Sequence, residues 1–459
     1  MKKEIDLWIE ERKDEILAEL TELVRFKSVS VYNPESTDPF GPECTAVLEK
    51  ALVLAKKHGL SGRNMENMCG YARLDVNKDA KEFGLFAHLD VVPELEGWFG
   101  EPYKVLVRDG WAIGRGISDN KGAAVASMFA LEYLRSHATP RHNWLLFLGL
   151  NEESGMRDLK YFLEHHSAPA LSLVPDAGFP VCYAEKSHLN ARIRIDISKT
   201  NILSLTAGTV VNIVPGEAEA YIALKDCYEK DPQNIASLPS RKVSAKGLSS
   251  HASMPDNGVN AIGKLADELL AGDLLNAEGR KVMELVSKLA NDYHGAVAGV
   301  DRDDPELGNT SHSCDIARVE GRDLLLTFDI RFPATTKAAE IHAQLKSFYE
   351  AKGIALEVLR MDDAIPKDPH ARLIDKLTEI VNEEKGTELQ PYTMGGGTYA
   401  RKLPNAYGFG LDSDAARPEF FPQGHGNVHQ PNEAIHIDEY CQGIKILIKA
   451  ILWLDAHED

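Results

Sequence analysis

The sequence predicts an α/β protein, a mixed-sheet domain interrupted by an α+β insertion. Three observations point there. Up to about Glu185, short apolar runs alternate with helical patterns. Between residues 187 and 363 the pattern changes to period-two alternation at 189–197, 218–224 and 324–331, with a helical stretch at 258–270. Beyond 363 the helix and strand patterns resume. The expected division is therefore 1–186 and 364–459 for one domain and 187–363 for the other. No internal repeat, low-complexity tract or long Pro/Ser linker separates them, so the insertion is expected to hinge on short connections and to be able to close over a ligand.

In chain order, Ile5, Leu7, Trp8, Ile9, Ile16, Leu17, Leu20, Leu23 and Val24 recur near the 3.6-residue period and predict one opening helix. Residues 85–87, 144–148 and 171–174 are apolar, too short for helices and bounded by Gly or Pro, which reads as buried strands. The alternating segments of the insertion read as strands. Glu383 and Glu384, trailing a helical run at 377–381, are expected to be solvated.

Acidic and histidine residues sit where apolar runs stop: His88 and Asp90, Asp119, Glu152 and Glu153, Asp176 and, in a Gly/Asn/Pro loop, His429. In an α/β sheet, chemistry collects beyond the carboxyl ends of the strands. Mixed carboxylate and imidazole without cysteine suits catalytic zinc, manganese or cobalt. Five such ligands are too many for one open catalytic ion, but they suit two ions roughly 3.5–4 Å apart if one carboxylate bridges. Taken singly, Asp119 before Asn120 reads better as a helix cap or turn residue, the two glutamates as a solvated pair, and His429 as a surface residue. Only His88-Leu89-Asp90 stands alone, because a His and an Asp two apart on a strand face the same side. The joint fall of acids at strand ends is what the separate readings leave unexplained.

The series His-Leu-Asp at 88–90, Gly-Ile-Ser-Asp-Asn-Lys-Gly at 116–122, Asn-Glu-Glu-Ser-Gly at 151–155, Pro-Asp-Ala at 175–177 and His-Gln-Pro-Asn-Glu at 429–433 resembles the two-metal aminoacylase/carboxypeptidase superfamily of metallopeptidases. Within it, the chain is most similar to bacterial peptidase V-type dipeptidases, relatives of carnosinases and Xaa-His dipeptidases. The resemblance implies a two-metal aminopeptidase-like catalytic domain with an inserted lid. His88 and Asp176 would hold one ion, Glu153 and His429 the other, and Asp119 would bridge them; the peptide bond after the bridging aspartate is often cis in this family, which implies a cis Asp119-Asn120 bond. Asp90 would orient His88, and Glu152 would be the general base. In the insertion, His251 and Asn212 would polarise the scissile carbonyl, while Arg331 and the amides of Gly395, Gly396 and Gly397 would grip the terminal carboxylate. Without the resemblance, those residues read as a turn His, a strand-end amide, a surface Arg and a glycine turn.

The activity so implied is hydrolysis of dipeptides using two divalent metal ions per subunit, with zinc, manganese or cobalt as candidates. An N-acyl-amino-acid deacylase or desuccinylase would share every metal residue, and a non-catalytic peptide-binding protein is the more distant alternative. The balance of 51 basic against 70 acidic residues gives a net charge of −19, which argues against nucleic acid or an anionic membrane as partner. The amino terminus lacks an apolar signal segment, and six scattered cysteines without CxxC spacing read as free thiols, so a cytoplasmic location is expected. The GxG at 114–116 lacks a dinucleotide fingerprint, and the 395–397 glycines lack the Lys-Ser/Thr of a phosphate loop. The insertion is longer than a simple dimerisation domain needs, through extra segments at 226–241 and 273–314. A monomer is therefore expected, with His251 serving its own chain.

Overall fold

Four apolar segments, Asn143–Gly149, Glu82–His88, Leu171–Val174 and Ala406–Gly408, lie side by side as parallel neighbours at the centre of a mixed sheet. Their side chains are almost all buried, as expected where a parallel sheet is covered on both faces. Antiparallel strands flank this centre: Cys69–Leu74 and then Ser61–Met65 on one side, Cys182–Glu185 on the other, with Tyr392–Met394 at the far edge. The structure is a computed structural model and describes residues 2–411 and 415–458.

The chain divides into two compact units. The first comprises residues 1–184, 367–392 and 398–459, and the second comprises 185–366 and 393–397. The glycine run thus groups with the inserted unit. In the first unit, the Ala-rich helix Lys121–His137 and the long helix Ile437–His457 pack over one face of the sheet, in a core that includes Leu85, Phe129, Leu146 and Leu447. The other face is filled by Phe86, Phe147, Phe162 and Tyr399.

Two expectations need correction in this unit. The opening helix is two helices, Lys2–Glu10 and Lys13–Val24. Residues 10–15 are all charged, so nothing apolar ties that turn to the core, and Arg12 folds back to donate to the Trp8 carbonyl. Glu384 is not solvated: its side chain is 2% exposed and pairs with Lys445 and Lys449 of the terminal helix. Burial alone would raise its pKa, but the two lysines hold it below the ordinary range.

The second unit is a seven-stranded antiparallel sheet ordered Ser240–Lys246, Glu217–Ala223, Ile202–Ala207, Ser311–Glu320, Asp323–Phe332, Ser187–Asp196 and Ala355–Asp362. One face buries Leu189, Ala191, Phe328 and Ile330 with residues of Ala261–Ala271, Ala277–Ala290 and Ala338–Glu350. The alternate positions His188, Asn190, Asp329 and Arg331 are polar yet buried. The first of these helices starts at Ala261, not 258, because Asn260 caps it by accepting from Ile262 N at 2.9 Å. The six cysteines are free, five of them buried. No helix among the described residues is long and apolar enough to cross a membrane.

Candidate metal centre

Three adjacent parallel strands deliver the central side chains. His88 ends its strand opposite Gly149, so Glu152 and Glu153 follow from the next strand at the same rim, and Asp176 lies two residues beyond Val174 on the other side. Asp119 reaches the same place from the loop before Lys121–His137, where the Asp119-Asn120 peptide is cis. His429 comes from a loop in which it adopts φ 63°.

Asp119 stands between the two histidines and turns a different oxygen to each. Its Oδ1 lies 2.9 Å from His88 Nε2 and its Oδ2 lies 3.0 Å from His429 Nε2. Asp176 Oδ2 is 3.7 Å from His88 Nε2, and Glu153 Oε2 is 3.2 Å from His429 Nε2. Two groups of three, His88/Asp119/Glu153 and His88/Glu152/Asp176, bring candidate ligand atoms within 4.8 Å of one another.

The electrostatics are those of a site short of positive charge. Burial would lower the pKa of His88, but the surrounding Asp119, Asp90 and Asp176 carboxylates raise it well above its usual value. Burial also opposes charge on His429, yet Asp119 and Glu153 push it up to about 11. Glu152 and Glu153 are raised, first by burial and then by neighbouring carboxylates. Three buried atoms, His88 Nε2, Glu152 Oε1 and Glu153 Oε1, have no hydrogen-bond partner; the short approach of Asp119 to His88 is not aligned as a hydrogen bond. Converging unpaired donor atoms of this kind fit divalent cations.

The supports of these residues include several that carry no signature of their own. Asp90 is fully buried and accepts from the amides of Glu152 and Glu153 at 3.1 and 3.2 Å. His88 Nδ1 donates to the Asp90 main-chain carbonyl at 2.9 Å, while the nearest Asp90 carboxylate oxygen is 3.4 Å away. Asp90 thus orients the imidazole through its backbone and the glutamate pair through its side chain. Asn120 donates to Asp176 Oδ1 at 2.7 Å and accepts from His88 N at 3.2 Å, tying its own loop and the Asp176 loop to the end of the His88 strand.

Glu433 closes the last motif, and its buried carboxylate accepts from Gly116 N, Ser118 N, Asp119 N and Arg115 Nη1 at 2.8–3.0 Å. It links the His429 loop to the loop that carries Asp119. Asp158 accepts from Leu150 N, Asn151 N and the Tyr399 hydroxyl and braces the turn that leads into the glutamates. In the sequence, Asn120 stands out only as half of the Asp119-Asn120 pair, Glu433 only as the end of a motif without a role, and Asp158 not at all.

The remaining candidates lie in the inserted unit. The short strand Ser250–His251 pairs with Ile213–Val214, and Ala252 N donates to Asn212 O at 2.9 Å, so Asn212 and His251 share one small ribbon. Asn212 sits in a turn at φ 94°, held by donation from its amide to Asp315 Oδ2 at 2.8 Å. His251 Nδ1 accepts from Ser253 N at 3.1 Å, which in the neutral ring assigns the proton to Nε2.

Arg331 is buried, not at the surface, and is paired on its side face with Asp329 through Nε and Nη2 at 2.9 and 3.0 Å. Its Nη1 donates to Gly395 O at 2.7 Å. Gly395 is obligatory here because a Cβ would meet Ser253 Cβ at 2.5 Å, whereas Gly396 has ordinary room.

Residues 84–453 match the model of peptidase family M20/M25/M40. The chain belongs to that family. It is a hydrolytic metallopeptidase, and curated relatives agree over their full length. It is similar to "Putative dipeptidase YtjP" of Bacillus subtilis (strain 168), 28% identical over 468 residues covering 96% of this chain and 97% of that one. It is also similar to the Beta-Ala-Xaa dipeptidase of Lactobacillus delbrueckii subsp. lactis, 27% identical over 474 residues covering 98% of each. Among solved structures, human carnosine dipeptidase 1 superposes with a TM-score of 0.62 at 14% identity, covering 99% of this chain and 98% of that one, which speaks to the fold.

Proposed function

We propose that the protein hydrolyses dipeptides at a pair of divalent metal ions, with His88 and Asp176 on one, Glu153 and His429 on the other, and Asp119 between them. The observation that carries this reading is the posture of Asp119, whose two oxygens approach the two histidines separately at 2.9 and 3.0 Å. Bound there, the ions would lower the pKa of a shared water to about 7 and polarise the scissile carbonyl.

The chain's own groups then divide the remaining work. Glu152 has an unpaired buried oxygen at the rim and would take a proton from the attacking water and return it to the leaving amine, a role worth roughly 10²–10⁴-fold. Its burial favours the protonated form that the second half of that shuttle needs. His251 would donate from Nε2 to the developing oxyanion beside Asn212, since its Nδ1 is already taken up by Ser253. The insertion, residues 187–363, would serve as the lid, with Arg331 and the glycine run near the substrate's terminal carboxylate. Dipeptidase names among the full-length relatives favour this over the deacylase alternative, and a monomeric, cytoplasmic enzyme using zinc, manganese or cobalt is the form we expect.

The test is turnover of a panel of free dipeptides and N-acyl amino acids by metal-stripped protein with zinc, manganese or cobalt restored. Activity confined to acyl amino acids would replace the reading with a deacylase. No activity with any metal, alongside tight peptide binding, would replace it with a binding protein.

A further inference from the structure

Within the inserted unit, a cavity of about 460 Å³ is lined by Lys186, Ser253, His294, Asp304, Thr310 and Ser311, among others. It adjoins the Arg331 cluster. Ser311 is the strand partner of Arg331, Ser253 packs against Gly395, and Lys186 N donates to Met394 O at 3.1 Å. Arg331 itself is already matched, since Asp329 fills its side face and Gly395 O takes a further hydrogen. Three of its five N–H groups are thereby committed within the chain.

Lys186 is not matched. Its ammonium donates to the Asn309 carbonyl, and no carboxylate lies within ion-pair range of it among the described residues. Two acids also line the cavity, each with partners of its own: Asp256 with His294 at 3.3 Å, and Asp304 with the amides of Glu306 and Leu307 and with Thr335. Asp329 is shared between Arg331 and His188. A half-buried cation beside an arginine, lining this cavity and without a counter-ion among the described residues, is arranged for an anion from outside the chain. Burial and then Arg331 lower the pKa of Lys186, with no anion opposing them.

We propose that Lys186 is a substrate-binding residue that supplies the uncompensated charge for the peptide's terminal carboxylate, with Arg331 positioned by Asp329 as its neighbour. This rests on the dipeptidase reading, and it adds a residue and a charge argument that the reading lacks.

The test compares a dipeptide with its C-terminal amide, using the metal-loaded full chain as wild type, Lys186→Met and Lys186→Arg. Lys186→Met should raise KM for the free acid about 10- to 100-fold, the range of a lost charge-assisted hydrogen bond. It should leave kcat for the acid and both constants for the amide little changed, and Lys186→Arg should recover part of the loss. Equal loss on acid and amide, or no change on the acid, would overturn the proposal. Calorimetric binding of the same two peptides, measured in chains that also carry Glu152→Gln so that nothing is hydrolysed during the titration, reads Lys186 independently of turnover. Wild type should prefer the acid and Lys186→Met should not, while wild-type binding of acid and amide with equal affinity would refute the inference. A wild type that prefers the acid yet hydrolyses neither would instead count against the dipeptidase reading alone.

Discussion

Glu433→Gln should destabilise the first unit by about 3–5 kcal/mol, the usual cost of removing one partner from a buried ion pair. Arg115 and Glu433 meet at 2.8 Å with both side chains 1% exposed. Besides Glu433, the Arg115 guanidinium makes a long contact to the Pro93 carbonyl at 3.4 Å and lies 5.3 Å from the Trp98 ring centre. A glutamine keeps one carbonyl oxygen, so it can satisfy either the Ser118 and Asp119 amides or the Gly116 amide and Arg115, but not both pairs. Each backbone donor left facing the new amide costs about 1–3 kcal/mol. These losses share the same groups and do not add, and burial already raises the pKa of Glu433, so the lower end of the range is the better expectation.

Arg115→Met leaves three backbone donors on the carboxylate and should cost less. The double variant should lose less than the sum of the two, because the buried charges are then removed together. All five tryptophans, Trp8, Trp98, Trp111, Trp144 and Trp453, lie in the first unit, so tryptophan fluorescence in a urea titration reports that unit's unfolding. A loss below about 1 kcal/mol, the scale of an exposed pair, or a greater loss for Arg115→Met, would refute the argument that Glu433 anchors the Asp119 loop.

Asp119→Ala should lose bound metal while Glu152→Gln keeps it and loses turnover; elemental analysis beside dipeptide assays checks both, and two tight ions in Asp119→Ala would end the bridging assignment. Asp90→Asn should cost roughly 10–100-fold in metal affinity or activity, because its carboxylate holds two amides while His88 rests on the main-chain carbonyl; a loss as large as that of His88→Ala would make Asp90 a ligand. Burial, and then Asp329, push Asp315 up from 3.8 to about 8, so the folded state holds a proton that the unfolded chain releases. Its contribution is full below about pH 4 and declines as pH rises towards 8. Asp315→Asn should therefore lose less stability than wild type between pH 5 and 9, read from hydrogen exchange of the 311–320 amides after correction for intrinsic rates. Parallel pH profiles in the two proteins would show that Asp315 is ionised throughout.

His88, Glu152, Glu153 and Asp176 were legible because the central parallel strands are buried on both faces and must be apolar almost to their last residue. Any acid or imidazole at that boundary therefore stands out, and pairing of the three strands brings their ends together. Asp119 and His429 were legible only through the motif order, since each sits in a loop where the same residues commonly cap a helix or face water.

Glu433 was not legible as an anchor, because its partners are 314–318 residues away and are mostly main-chain amides that carry no side-chain signature. Asn120 likewise works through contacts to a strand end 32 residues away and a loop 56 residues away. The break in the opening helix was visible as a run of charge at 10–15, but a periodicity count bridges such a gap without registering it.

What the sequence determined by itself is the α/β class, the alternating insertion and the strand-end candidates His88, Glu152, Glu153 and Asp176, since burial and strand ends constrain residue type directly. The tertiary structure decided the rest: which oxygen of Asp119 faces which histidine, that Asp329 already occupies the fork of Arg331, and that Lys186 has no counter-ion among the described residues. Those facts depend on pairings between distant segments. A charged side chain looks the same in a sequence whether the fold supplies its partner or leaves it to a ligand.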